Sequence, residues 1–178
     1  MALTEFQINT NYTRWQQRLE KYNCSSPQLI TDLGELIKNA PWARDVESGG
    51  AYNGALLDVV MNHLCLLGHK FNTIALTDPK TQSNVHPYIQ VSPDMLMRVL
   101  LLQHIAKAEL YITQREAWKA KKGMLFEFNP DIETTLKVGE RSLYLCQKYG
   151  IKLVEDEFDA IRVIDKADEL STLAYIRW

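Results

Sequence analysis

Apolar side chains recur along this chain mostly at helical spacing. Over 93–111, PDMLMRVLLLQHIAKAELY, they cover nearly every face: Leu96, Val99 and Leu100 make the sharpest stripe, and Leu101, Leu102 and Ile105 fill its flanks. With Ser92 as N-cap and Pro93 at the first helical position, the pattern predicts a central, buried helix. Gln103 and His104 continue the stripe at i+7 and i+8 from Leu96. Two polar side chains set that deep must be satisfied or functional, because an unpaired buried polar group costs about 1–3 kcal/mol.

The flanking segments share the same period. Residues 1–9 alternate loosely through Leu3, Phe6 and Ile8 and read as an arm or a short strand; Tyr12, Trp15, Leu19 and Tyr22 then predict an aromatic amphipathic helix ending at Ser25-Ser26-Pro27. A second helix starts from Ser26 and Pro27 and carries Leu29, Ile30, Leu33, Leu36 and Ile37 inward, with Asn39-Ala40-Pro41 as its stop. A loop over 41–52 leads into a third helix whose core stripe is Leu56, Leu57, Val60, Leu64 and Leu67; His63 lies close to that stripe, and His69 reads as a capping or surface residue at its end. Residues 71–91 show no period and predict a long loop. Two strands around a basic turn come next over about 110–129, then helices over 139–149 (Gly150 as C-cap), from Glu155 onward, and from Asp168 to an apolar tail at 176–178.

Composition narrows the function classes. A chain of 178 residues, 46% hydrophobic and 24% charged, has room for one sizeable core, so a single domain is expected over 1–178: an N-terminal arm and helix over 1–25, a core over 26–166 and a C-terminal piece over 167–178. A net charge of -2 offers no general attraction for nucleic acid or anionic lipid. The local exception is Arg115, Lys119, Lys121 and Lys122 around Trp118, which reads first as a solvated hairpin tip and second as a grip on a phosphate backbone. The longest apolar run, 99–102, is far too short for a membrane span, and the N-terminus lacks the layout of a signal peptide. Cys24, Cys65 and Cys146, odd in number and far apart, predict buried reduced thiols.

Four stretches in order carry a resemblance. NAPWARDVESGGAYNGALLDVV over 39–60, LLQHIAK over 101–107 with Tyr111 after it, VGERSLYL over 138–145 and DEFDAIRVI over 156–164 together resemble the HD-domain phosphohydrolases met in tailed phages and prophages. The resemblance implies a mostly α, HD-domain-like helical bundle with a small β-hairpin insertion. It also implies a site where imidazoles and a carboxylate hold a divalent metal. At those places this chain has Gly49, Val59 after Asp58, Gln103 and His104 for the His-Asp dyad, Val138 and Ile164. Sliding the dyad by one residue restores the histidine and puts Ile105 where the aspartate belongs.

The resemblance therefore implies a retained scaffold without its metal ligands: a non-catalytic protein with no cofactor, with Gln103 and His104 satisfied by backbone or by Asp58. Aliphatic replacement of buried polar groups suits a fold that no longer uses the site. The expected work is structural, in concrete form a tailed-phage virion subunit of the neck or head-to-tail connector, located in the virion or the bacterial cytoplasm and assembling as a homo-oligomer. Tyr12, Trp15, His86, Tyr88, Ile176 and Trp178 are the candidate subunit contacts. The competing readings are a metal-dependent phosphohydrolase whose altered site uses His104, His63, Asp58 and Asp165, and a regulatory protein binding a nucleotide without hydrolysing it.

Overall fold

The computed structural model describes residues 2–76 and 92–164, with backbone alone for the helical stretch 68–76. Helix α1 (Glu5–Lys21) starts at Thr4, whose Oγ1 accepts the Gln7 N–H at 3.3 Å while the Thr4 N–H donates to Gln7 Oε1 at 2.8 Å. This reciprocal pair satisfies two amides that the first turn leaves without helical partners. The arm or strand expected over 1–9 is therefore corrected from Glu5 on, where the chain is already in the opening turns of a helix. At the other end Asn23, at φ +52°, turns the chain so that Cys24 N–H reaches Leu19 O at 2.9 Å.

Helix α2 (Pro27–Asn39) is capped by Ser26 and buries Leu29, Leu33 and Ile37. Leu36, expected inside, is exposed. The close crossing of α1 and α2 uses Gly34: the Tyr12 hydroxyl sits where a Cβ would stand. Helix α3 (Ala55–Leu76) runs past Gly68, so His69 is not at a helix end and the expected loop over 71–91 is helical in its first six residues. The rest of that loop, with His86 and Tyr88, and the segment 165–178, with Asp165, Ile176 and Trp178, lie outside the described residues.

The central helix stops early. Helix α4 (Pro93–Leu102) gives way to a tight turn over 103–106, then a single helical turn α5 (Lys107–Leu110) and strand β1 (Tyr111–Thr113). Past Leu102 the backbone closes i to i−3, with Ile105 N–H on Leu102 O at 3.2 Å and Lys107 N–H on His104 O at 3.0 Å. Side chains from far along the chain take the groups this frees: the Trp15 indole N–H donates to Leu101 O at 3.3 Å, and Ser142 Oγ accepts the Ala106 N–H at 3.2 Å. The single helix predicted over 93–111 is thus divided at Gln103 and His104.

Strand β1 pairs antiparallel with β2 (Phe126–Phe128), Ile112 opposite Glu127. The basic turn between them is itself helical, α6 (Ala117–Lys121). Helix α7 (Val138–Lys148) ends at Gly150, φ +69°, with Ile151 N–H on Cys146 O at 2.8 Å, and α8 (Glu155–Val163) closes the described chain. The described residues are mostly helical with one small antiparallel sheet. The long helices surround one core, built on Trp15, Leu29, Leu57, Leu102, Leu145 and Ile161, with α1 on α3, α4 on α8, and α7 on α8. Trp15, expected at a subunit contact, is wholly inside that core. Among the described residues no helix is long and apolar enough to cross a membrane.

One ion pair ties the helix ends together. Arg98 on α4 grips Glu157 on α8 through Nε (2.6 Å) and Nη2 (3.3 Å), and its Nη1 donates to the carbonyls of Tyr22 (2.7 Å) and Asn23 (2.9 Å) at the end of α1. Glu157 is buried and also accepts the Val154 N–H at 3.0 Å. Nearby, burial pushes the Cys24 thiol up to about 11 and the Cys146 thiol up to about 12, so both stay protonated. Cys65, expected buried, is exposed. Replacing Arg98 by Met leaves the Glu157 carboxylate buried and unpaired, for an expected loss of about 3–5 kcal/mol in urea unfolding. The double variant Arg98→Met, Glu157→Leu should recover part of that loss, and equal losses in the single and double variants would contradict the pairing.

Candidate functional site at the 103–107 turn

The turn that ends α4 faces the loop over 40–54. Trp42 is held there by its own N–H, which donates to Gly50 O at 2.9 Å. Gly50 has φ +74°, and a Cβ on it would stand 2.7 Å from Trp42 Cβ, so the loop closes over the indole only with glycine at this position.

Three side chains meet the Trp42 ring. His104 lies edge-on with centroids 4.5 Å apart, His63 on α3 is edge-on at 6.1 Å, and Lys107 Nζ stands 3.5 Å from the indole centroid. Nζ also donates to Trp42 O at 2.8 Å. A carbonyl and an aromatic face thus both hold this largely buried ammonium, offsetting part of its desolvation. His104 is buried, and among the described residues neither its Nδ1 nor its Nε2 finds a hydrogen-bond partner; Gln103 Oε1 is likewise unpartnered there. The expected satisfaction of this pair by backbone or Asp58 is corrected. Asp58 instead accepts from Tyr52 Oη at 2.9 Å and from Asn11 Nδ2 at 3.3 Å.

The electrostatics come from that packing. Burial holds the His104 imidazolium pKa well below its ordinary value, and the charges of Lys107 and His63 push it the same way. His104 is a neutral ring beside a lysine cation. The remaining positions marked by the resemblance lie on different elements. Gly49 is at the loop apex with φ +73°, Val59 is half-buried on α3, Val138 packs on the core at the start of α7, and Ile164 is buried at the end of α8. Among the described residues no three His, Cys, Asp or Glu side chains converge as a metal set.

Nothing in the hydrophobic periodicity singles out Trp42 or Lys107. A lysine three residues after His104 in an otherwise apolar run is the available signal, since such a lysine must find an internal partner. The basic hairpin residues are largely engaged locally: Arg115 with Glu127 at 3.6 Å, Lys119 with Glu116 at 2.6 Å, and Lys122 over the Trp118 ring at 5.1 Å. Compared with known protein families, characterised proteins and solved structures, the chain matches none at a significant level.

This packing makes stability depend on pH. Because the folded pKa of His104 is depressed, its contribution is fully present above the unfolded value of about 6.5 and is lost as pH falls toward the folded value, at up to about 1.4 kcal/mol per pH unit. Urea midpoints measured from pH 7 to pH 5 should fall in the native chain and fall less steeply in His104→Phe. Identical slopes would show that His104 does not remain neutral on folding.

Proposed function

We propose that this chain is a non-catalytic, HD-like helical scaffold that works through protein contacts, in concrete form a subunit of a tailed-phage neck or head-to-tail connector ring. The observation that carries the non-catalytic part is the stack Lys107–Trp42–His104. An ammonium 3.5 Å from the indole centroid, and that indole packed on the histidine, fill the place where the resemblance puts the dyad. The aliphatic residues at Val59, Val138 and Ile164 support the same reading, since they give a metal no donor atoms. The virion assignment rests on the ordered resemblance of the four stretches.

Light scattering on the purified chain across a concentration series should give an oligomer with a closed stoichiometry. Elemental analysis after incubation with manganese, iron or nickel should give no stoichiometric metal, and a generic phosphodiester should not be turned over. A monomer at every concentration would remove the structural assignment. Turnover that disappears in His104→Ala would restore the enzyme reading.

A further inference from the structure

Two apolar patches of opposite charge stand out on the described surface. The first belongs to the hairpin and the loop strand beside it. Val46 (54% exposed), Trp118 (56%) and Phe128 (55%) project there with Met124 and Leu125. The module holds together: Val46 N–H donates to Gly123 O at 3.0 Å, Phe126 N–H to Arg44 O at 3.0 Å, and the Arg44 guanidinium lies 4.4 Å from the Phe128 centroid. Over 110–129 four cations face two carboxylates, and Lys121 and Lys122 are exposed beside Trp118. Large exposed aromatics stacked by cations are the side chains that concentrate binding energy at protein interfaces.

The second patch lies at the start of α8. Val154 (58% exposed) and Phe158 (45%) flank Glu155 and Asp156, both exposed. The neighbouring Glu157 is turned inward to Arg98, which fixes this end of the helix.

We infer that the hairpin face of one copy docks on the α8 start of the next, Trp118 and Phe128 against Val154 and Phe158, with Lys121 and Lys122 facing Glu155 and Asp156. Because the two surfaces differ, the contact is head-to-tail, the kind that builds a ring when its rotation closes. The partner is a second copy of this chain rather than nucleic acid. Arg115 and Lys119 are already neutralised by Glu127 and Glu116, the patch is rich in aliphatic surface that a phosphate backbone does not cover, and its charge complement is on the same chain. This contact rests on the assembly reading above and names its interface.

A charge swap on the full chain tests it. Lys121→Glu with Lys122→Glu, and separately Glu155→Lys with Asp156→Lys, each set like charges face to face and should weaken self-association at least about tenfold in sedimentation velocity. Mixing the two variants should restore assembly, with the two alternating around the ring, and that restoration also shows both are folded. Trp118→Ala should weaken association without changing its salt dependence. If each charge variant alone assembles like the native chain, the contact lies elsewhere and only this inference fails. A native chain that is monomeric at all concentrations overturns both the contact and the assembly reading. Loss of single-stranded oligonucleotide binding in Lys121→Glu, Lys122→Glu with unchanged mass overturns it in favour of a nucleic-acid surface.

Discussion

The hydrogen bond from the Trp15 indole to Leu101 O sets much of this architecture. A carbonyl in the last turn of a helix either accepts a later amide of the same helix or must find another donor. Here an α1 side chain supplies that donor, Ser142 on α7 takes up the Ala106 amide, and the backbone between them tightens to i−3 closure. Two helices far from α4 in sequence therefore help decide where it ends. The turn they create brings Lys107 to the loop over 40–54 and starts β1 only four residues later.

That dependence explains which features are legible in the sequence. Helix starts marked by local chemistry are readable: the Ser26 cap with Pro27, Pro93 at the first position of α4, where the Ser92 side chain makes no cap bond, and the stop at Gly150 are decided within a few residues. Thr4-Glu5-Phe6-Gln7 carries an equally local signature, and the loose alternation of Leu3, Phe6 and Ile8 obscures it. The break at Gln103 carries no local mark, because no glycine or proline is there and the apolar stripe continues through it. Its causes, Trp15 and Ser142, lie 86 and 36 residues from the groups they bind. Burial of Glu157 is hidden for the same reason: three acidic residues at a helix start look like a dipole effect until Arg98 is brought to one of them.

The candidate site is half legible. Gln103 and His104 stand out in the sequence as polar groups in an apolar setting, but what surrounds them does not. Trp42 sits in a loop whose shape depends on Gly50, and aromatic residues in loops carry no periodicity to read. The orphaned nitrogens of His104 make physical sense only with that indole in place, since a ring packed against Trp42 on one side and the core on the other gives up its hydrogen bonds for contact area. An unpaired buried polar group makes the turn locally unfavourable. It persists because the same residues anchor the loop to the core.

Half-buried Arg98 and buried Lys107 are each held by groups from several elements. Arg98 is matched by a carboxylate and by carbonyls from the end of α1, and it locks the corner where α1, α4 and α8 meet. Lys107 meets the dipole of a carbonyl and the face of an indole, which fix its position against the loop over 40–54. Both of these are fixed: the guanidinium and the stacked ammonium each sit in a geometry closed by several elements. Rigidity of that kind gives the surfaces at the hairpin and at the start of α8 a constant relation to the helices that carry them.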